Sequence, residues 1–186
     1  MRSIWDFNET KNYTTINNYR VLISPLAESA SILLEDLDIL VKTLQRRLKI
    51  TEMVIYDKYL DLLSKTPHIL QEMQLHKDQG SVIFDGLNKP KGVHLTKNIP
   101  IGEDNRLRAS YRKVFLTLKH KNGKLKTFNQ IKKLLAHELT HTALNHVTWK
   151  DDNHSNLFKE YNRVILSMIN SILSFLESKN FEFIFS

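Results

Sequence analysis

Residues 127–144 read TFNQIKKLLAHELTHTAL. Their apolar residues recur at helical spacing, and Thr127 with Gln130 matches a capping box, so a helix is predicted to begin after Thr127. About two turns into that helix stands the run His137-Glu138-Leu-Thr-His141. Residues four apart lie on the same face of a helix. The pattern therefore predicts two imidazoles side by side, with a carboxylate next to them.

An H-E-x-x-H run on a helix has the spacing at which two histidines bind Zn²⁺. Zinc held by neutral imidazoles polarises a substrate carbonyl and lowers the pKa of a bound water. Glu138 is then the catalytic residue, because it is placed to accept a proton and to pass it to the leaving amine. The sequence thus predicts zinc-dependent hydrolysis of a protein or peptide substrate, with metal ligands at His137 and His141.

Catalytic zinc sites normally have three protein ligands, so a third is expected downstream. The preferred residue is His154, which follows a polar stretch, residues 150–153, typical of a loop that folds back. Glu160 is the second choice and would place the chain among peptidases with a glutamate ligand. His146 is the third, since it faces the metal only if the helix breaks first. It could otherwise lie near the site as a substrate-binding or outer-sphere group.

The run His137-Glu-Leu-Thr-His141, followed by Asp152-Asn-His154-Ser-Asn-Leu-Phe158, resembles the WLM and SprT (Spartan)-type metalloproteases, including WLM-like proteins of large DNA viruses. In these families the third zinc histidine opens a short H-x-x-x-F segment, which falls on His154 and Phe158. The resemblance extends from about Lys91 to Phe158. It implies a zincin-like core, zinc held by three histidines, and substrates that include proteins crosslinked to DNA.

The oxyanion formed during peptide hydrolysis needs a hydrogen-bond donor besides the metal. Tyr161 and His146 are the two candidates for this donor or for a supporting role. For Tyr161 a packed aromatic is the preferred interpretation.

Composition limits the possible classes of protein. A chain of 186 residues is predicted to form one domain, and the absence of cysteine excludes disulfides and thiolate zinc sites. The N-terminus has no apolar signal region, and the longest apolar run, residues 164–176, is too short and too polar to span a bilayer. We expect a soluble intracellular protein without membrane contact, in the cytoplasm or nucleus of a host cell or in a virion. Its oligomeric state stays open.

The predicted fold is α+β. An N-terminal arm, residues 1–23, precedes a single zincin-like domain, residues 24–186, with a helical part to residue 80 and a catalytic part after it. Helices are predicted from Ser24-Pro25 to Leu48, from Thr51 to Leu63, from Thr66-Pro67 to His76 and from Asn156 to Leu176. A strand is predicted at Ser81–Phe84 and a hairpin around Asn122-Gly123, and Phe181–Phe185 is predicted to be either a short terminal strand or a docked tail.

The positive charge is concentrated before the H-E-x-x-H run. The formal net charge is +7, and residues 89–133 carry thirteen Lys and Arg against Glu103 and Asp104, a local balance of +11. Such a patch is typical of a surface that binds nucleic acid, and it would also attract acidic proteins. The DNA-contacting residues are predicted to be Arg112, Lys113, Lys119, Lys121, Lys124 and Lys126. Residues 112–119 are also predicted to form an edge strand beside which an extended substrate could lie.

Three function classes follow. The first is a zinc endopeptidase that acts near DNA. The second is a catalytically inactive, zinc-containing protein that binds nucleic acid, and the third is a virion interaction protein in which the motif is accidental. Glu138 favours the first class, because a purely structural zinc site has no use for a carboxylate at that position.

Overall fold

The computed structural model describes residues 12–50, 57–74, 76–77, 83–97, 106–148 and 154–179. The helices in these ranges are α1 (Ala27–Ile50), α2 (Lys58–Lys65), α3 (Phe128–Ala143) and α4 (Asn156–Ser178). The strands are β1 (Tyr13–Ile16), β2 (Tyr19–Leu22), β3 (His68–Glu72), β4 (His76–Lys77), β5 (Ile83–Phe84), β6 (Gly86–Lys91), β7 (His94–Leu95), β8 (Leu107–Arg108) and β9 (Tyr111–Leu116). The predicted α+β class is confirmed.

The largest sheet has the order β3-β9-β6, with β3 parallel and β6 antiparallel to the central strand β9. The prediction that residues 112–119 form an edge strand is therefore wrong. Val114, Phe115 and Leu116 are all fully buried, as expected for a strand covered on both faces, where apolar residues run consecutively rather than alternate. The edge strand that packs against α3 is β6.

The helix predicted from Thr66-Pro67 to His76 is also wrong, because residues 68–72 form β3. Thr66 ends α2 with an extended backbone, ψ 119°, which is the conformation that a following proline favours. The next residues pair in register with β9, for example Leu70 with Val114. The part of the chain predicted to be helical thus contributes a strand to the sheet.

The other helices lie close to their predicted positions. Helix α1 begins two residues after Pro25, and its leucines line the main core together with residues of β9, α3 and α4. Helix α2 begins after Asp57, whose side chain accepts from the backbone N–H groups of Tyr59 and Leu60. Residues 51–56 of the predicted second helix lie outside the described residues. Helix α4 extends two residues beyond its predicted end.

The described part of the predicted N-terminal arm forms a hairpin. Strands β1 and β2 are antiparallel, and they are joined by Asn17 and Asn18, whose φ angles of 52° and 69° match a type I′ turn. Val21 is fully buried in the main core, and the backbone N–H of Leu22 donates to Glu72 Oε1 at 2.8 Å. Residues 12–23 are therefore packed onto the domain.

The hairpin predicted around Asn122-Gly123 is present in reduced form. Gly123 has a φ of 82°, and the backbone N–H of His120 donates to the carbonyl of Lys124. Pairing stops after a single bridge between Lys119 and Leu125, since Thr127 then caps α3. The predicted terminal strand, residues 181–185, lies outside the described residues. None of the described helices has the length and apolar character needed to cross a membrane.

Candidate metal centre

Three histidines converge at one point, two from α3 and one from the residue before the N-cap of α4. His137 and His141 lie on α3, and His154 directly precedes Ser155, the N-cap of α4. Their potential ligand atoms all lie within 4.8 Å of one another, and Nε2 of His154 is 3.1 Å from Nε2 of His137. This group could hold a metal ion. A set of three imidazoles is also a common donor set for zinc with one position left open, so the residues present fit that metal.

The local structure at both helix starts is encoded nearby in the sequence. The Thr127 side chain accepts from the backbone of Gln130, whose side chain accepts from the Thr127 N–H, so the predicted capping box is present. The hydroxyl of Ser155 accepts from the N–H of Phe158 in the same way. These caps determine where each helix begins and hence which residues face the centre.

Phe158 forms the apolar wall of the centre. It is buried, and its ring centroid lies 4.9, 4.7 and 4.8 Å from those of His137, His141 and His154. Because Phe158 follows His154 by one helical turn, the same start of α4 delivers both the third imidazole and the ring that covers the other two.

The two α3 histidines are held in their neutral form. Burial lowers the pKa of His137 to about 4, with a further lowering from His154. Burial also lowers the pKa of His141 to about 2, and the neighbouring imidazoles and Arg112 add to this effect. Neutral imidazole is the form that binds metal ions, so both ligands are available at neutral pH without losing a proton.

Glu138 lies beside the histidines and is 3% exposed. Its Oε1 is 3.9 Å from Nε2 of His141. Strand β6 approaches closely on the other side, because a Cβ added at Gly86 would lie 2.9 Å from Glu138 Oε2. Glycine at the start of β6 therefore leaves the space that the carboxylate occupies.

The turn that ends α3 places His146 next to the histidine group. Asn145 adopts a left-handed conformation, φ 58°, and its N–H donates to the carbonyl of Thr142. The N–H of His146 donates to the carbonyl of His141, which completes a Schellman motif. Nδ1 of His146 then lies 2.8 Å from Nδ1 of His141. The helix does break before His146, and asparagine after the last helical residues was the available sequence signal.

Two other predicted site residues are not brought to the histidines. The Tyr161 hydroxyl donates to Asp57 Oδ2 at 2.7 Å, and its ring packs edge-on against Tyr59 at 4.9 Å. The geometry therefore favours the packed aromatic over the oxyanion role. Glu160 is exposed on α4, where it lines a surface groove with Val164 and Met168, and it is not part of the histidine group.

The predicted DNA-contacting residues divide by burial. Arg112 is 1% exposed, Lys119 pairs with the buried Glu72, and Lys126 bonds to Thr117 and Asp85. The assignment of Arg112 to DNA contact is therefore wrong, because its guanidinium is used inside the fold, whereas Lys119 and Lys126 are partly exposed and bound to other side chains of the domain. Lys121 and Lys124 are exposed, and Lys113 is half-buried.

A buried polar network behind α3 was not predicted. Nδ2 of Asn88 donates to the Glu138 carbonyl at 2.6 Å and to Thr142 Oγ1 at 2.8 Å. Nη1 of Arg112 donates to Asn88 Oδ1 at 3.2 Å and to the His146 carbonyl at 2.9 Å. Asn88 carries no recognisable sequence signal, because its partners Arg112, Glu138 and Thr142 are 24, 50 and 54 residues away.

The network continues to His68, whose Nδ1 is also 3.4 Å from Nε2 of Gln45, and His68 should make stability depend on pH. Nε2 of His68 is hydrogen-bonded to Thr142 Oγ1 at 2.8 Å, and burial lowers the pKa of His68 to about 3 from 6.5. As pH falls below 6.5, only the unfolded chain takes up a proton at this residue, so the folded state loses stability down to about pH 3. For one such histidine the loss between pH 7 and pH 5 is about 2 kcal/mol.

Replacing His68 with glutamine is expected to remove that share of the pH dependence. Urea unfolding of both proteins at pH 7 and pH 5, with a chelator present, measures the difference. The histidines of α3 contribute equally to both proteins, so an identical fall in unfolding free energy would contradict the role given to His68.

No protein-family model, curated protein or solved structure matches this chain. The chemistry of the centre therefore rests on its own residues and geometry.

Proposed function

We propose that this chain is a zinc-dependent metallopeptidase of the H-E-x-x-H class. One observation carries the proposal: the convergence of His137, His141 and His154 at ligand distance, with the Glu138 carboxylate beside them. A site that held a metal only for structure would normally be closed by a fourth ligand. A three-imidazole group with an adjacent carboxylate suits hydrolysis instead. The zincin-like core and the WLM/SprT relationship are part of this proposal.

Bound zinc would polarise the scissile carbonyl as a Lewis acid and would lower the pKa of a bound water molecule. Glu138 accepts the proton of the attacking water and returns it to the leaving amine. Phe158 shields the ligand rings from solvent on the α4 side. His146 supports the centre, because its Nδ1 is placed to accept a hydrogen bond from Nδ1–H of His141. That bond leaves Nε2 of His141 as the atom for the metal.

An extended substrate would lie along β6 in place of the strand predicted at residues 112–119. Strand β6 is at the edge of the three-stranded sheet, and its Gly86 approaches the Glu138 carboxylate. Main-chain hydrogen bonds to an edge strand hold a peptide in a fixed register. A peptide there would carry its backbone carbonyls past the histidine group, which suits an endopeptidase.

DNA-associated proteins are the substrates that the basic segment favours. Lys121 and Lys124 are exposed in the turn that leads into α3, and they could contact phosphates. Such substrates would place the protein in the cytoplasm or nucleus. The same lysines support the alternative function, a catalytically inactive zinc protein that binds nucleic acid or takes part in a virion.

Metal analysis tests the proposal directly. Protein purified without a histidine tag should contain about one zinc per chain. Zinc at about a thousand times its Kd should stabilise the fold by about 4 kcal/mol, or roughly 10 °C in Tm. The double variant His137→Ala/His141→Ala should lose both the metal and the shift. The variant His120→Ala, at an exposed turn residue, should keep them. Wild-type protein that binds no zinc on titration would refute the proposal.

A further inference from the structure

Arg112 is a buried cation at the centre of the sheet. It is 1% exposed, and within the described ranges no carboxylate lies within ion-pair distance of its guanidinium. Burial lowers its pKa to about 10, so it stays charged at neutral pH. Burying a charge without an ionic partner is unfavourable, and hydrogen bonds to the charged group must offset the loss of water.

Those hydrogen bonds lead to the metal centre. Arg112 donates to the carbonyl of His146 and to the amide oxygen of Asn88. Arginine has only donors and the Glu138 carbonyl only accepts, so the Asn88 amide has one orientation that satisfies both: oxygen towards Arg112, nitrogen towards Glu138. Together these contacts form the Arg112–Asn88 bridge, which connects β9 and β6 to the motif helix and to the segment that follows it.

The bridge acts on the segment that follows the last turn of α3. Beyond Ala143 the chain is held by the backbone hydrogen bonds of the cap and by the Asn145 side chain, whose Nδ2 donates to the Leu107 carbonyl at 3.0 Å. The position of the His146 ring depends on this segment. Arg112 donates a hydrogen bond to the carbonyl of His146, while the N–H of His146 donates to the carbonyl of His141. The peptide groups on both sides of His146 are therefore held.

We propose that Arg112 and Asn88 are positioning residues that hold His146 as the hydrogen-bond acceptor of His141 and thereby select the His141 tautomer whose Nε2 faces the metal. The metal part of this inference rests on the proposed function, whereas the tautomer part concerns the protein alone. If His146 moved away, Nδ1–H and Nε2–H forms of His141 would interconvert, and the form with its proton on Nε2 would not offer that nitrogen to a metal. Loss of such an outer-sphere partner typically weakens metal binding by about 10- to 100-fold.

The test compares Arg112→Met, Arg112→Lys and Asn88→Asp with wild type. Cobalt(II) is the probe, and its affinity and visible absorption spectrum are measured on folded protein. Arg112→Met should lose about 10- to 100-fold in affinity with an altered spectrum. Arg112→Lys should lose less, because lysine keeps a charged donor nitrogen, as Nη1 of Arg112 is for both acceptors, but lacks the planar guanidinium that fixes the position of that nitrogen. Asn88→Asp should also bind more weakly, since aspartate cannot donate to the Glu138 carbonyl.

A matched control separates positioning from general destabilisation. Leu34→Ala in α1 removes a fully buried leucine and should lower stability by about 2–5 kcal/mol while leaving the cobalt spectrum and affinity unchanged. If Leu34→Ala weakened cobalt binding as much as Arg112→Lys, the bridge would have no specific role.

The second readout needs no metal. ¹⁵N NMR of the histidine rings in metal-free protein should show His141 protonated at Nδ1 in wild type and a mixed tautomer in Arg112→Met, or in Arg112→Lys if the first variant does not fold. An unchanged tautomer together with unchanged cobalt affinity would overturn the inference. Wild-type protein that showed the fixed tautomer but bound no metal would refute the proposed function and leave the positioning of His141 supported.

Discussion

Replacement of Glu138 by glutamine is expected to abolish peptide hydrolysis while the metal stays bound. Glutamine has nearly the shape of glutamate, so it should fit beside Gly86 and His141 without moving the ligands. It cannot accept a proton at neutral pH, and general-base catalysis typically contributes about 10²- to 10⁴-fold to the rate. The loss should appear in kcat rather than in KM, because the carboxylate acts on water and not on the bound substrate.

Cleavage of an unfolded protein substrate, measured beside the zinc content of each enzyme, checks this expectation. Glu160→Gln makes the same chemical change on an exposed face of α4 and should retain full activity. Unchanged hydrolysis by Glu138→Gln would refute the role of Glu138 as the base. If Glu138→Gln lost zinc as well as activity, the result would instead indicate that Glu138 helps to bind the metal.

Single-stranded DNA in the same assay distinguishes the substrate classes. Faster cleavage of a DNA-bound protein substrate, lost when Lys121 and Lys124 are both changed to Glu, would support DNA-associated substrates. A wild-type protein that holds zinc and binds DNA but cleaves nothing would favour the inactive alternative.

The parts of the centre that follow from short-range signals could be predicted from the sequence. Helix α3 depends on its own periodicity and on the Thr127 cap, and α4 starts at Ser155. A cap lies within four residues of the helix start that it fixes, and helical spacing alone places His137 and His141 on one face with Glu138 beside them. Their relative placement can therefore be predicted without knowledge of the rest of the fold. The position of His154 beside them depends on the packing of α4 against α3, for which the polar residues 150–153 and the family resemblance were the only guides.

The wrong predictions of secondary structure and exposure all concern residues that pair with segments distant in the sequence. Residues 68–72 became a strand because β9 offers them a parallel partner more than 40 residues away, and no local pattern reports such a partner. The same pairing makes β9 central and draws Arg112 inside. A count of charges along the chain assigns Arg112 to a basic surface, but only the sheet order shows that its guanidinium faces His146 and Asn88.

Replacement of His154 by alanine is expected to produce the largest loss of metal affinity from a change outside α3. It removes one of three ligands, so the affinity should fall by more than the roughly 10- to 100-fold that follows from loss of an outer-sphere group. His154 is also the ligand that joins α4 to α3 through the metal. The variant should therefore lose most of the rise in Tm that zinc gives wild type, although His137 and His141 remain. Competition with a fluorescent chelator and thermal unfolding with and without zinc measure the two effects.

Glu160→Ala is the matched comparison, because it tests the other proposed third ligand, which lies on α4. Glu160 lies two residues beyond Phe158, which places the two side chains about 200° apart around α4. With Phe158 buried against the histidine rings, the Glu160 side chain is directed away from them. For Glu160 to reach the metal, α4 would have to turn and withdraw Phe158 from the core, and exposing a buried phenylalanine costs about 1.5–3 kcal/mol. We therefore expect Glu160→Ala to bind zinc as wild type does. The opposite order of effects would mean that α4 does rotate when metal binds, and it would place the chain among the zinc peptidases with a glutamate ligand.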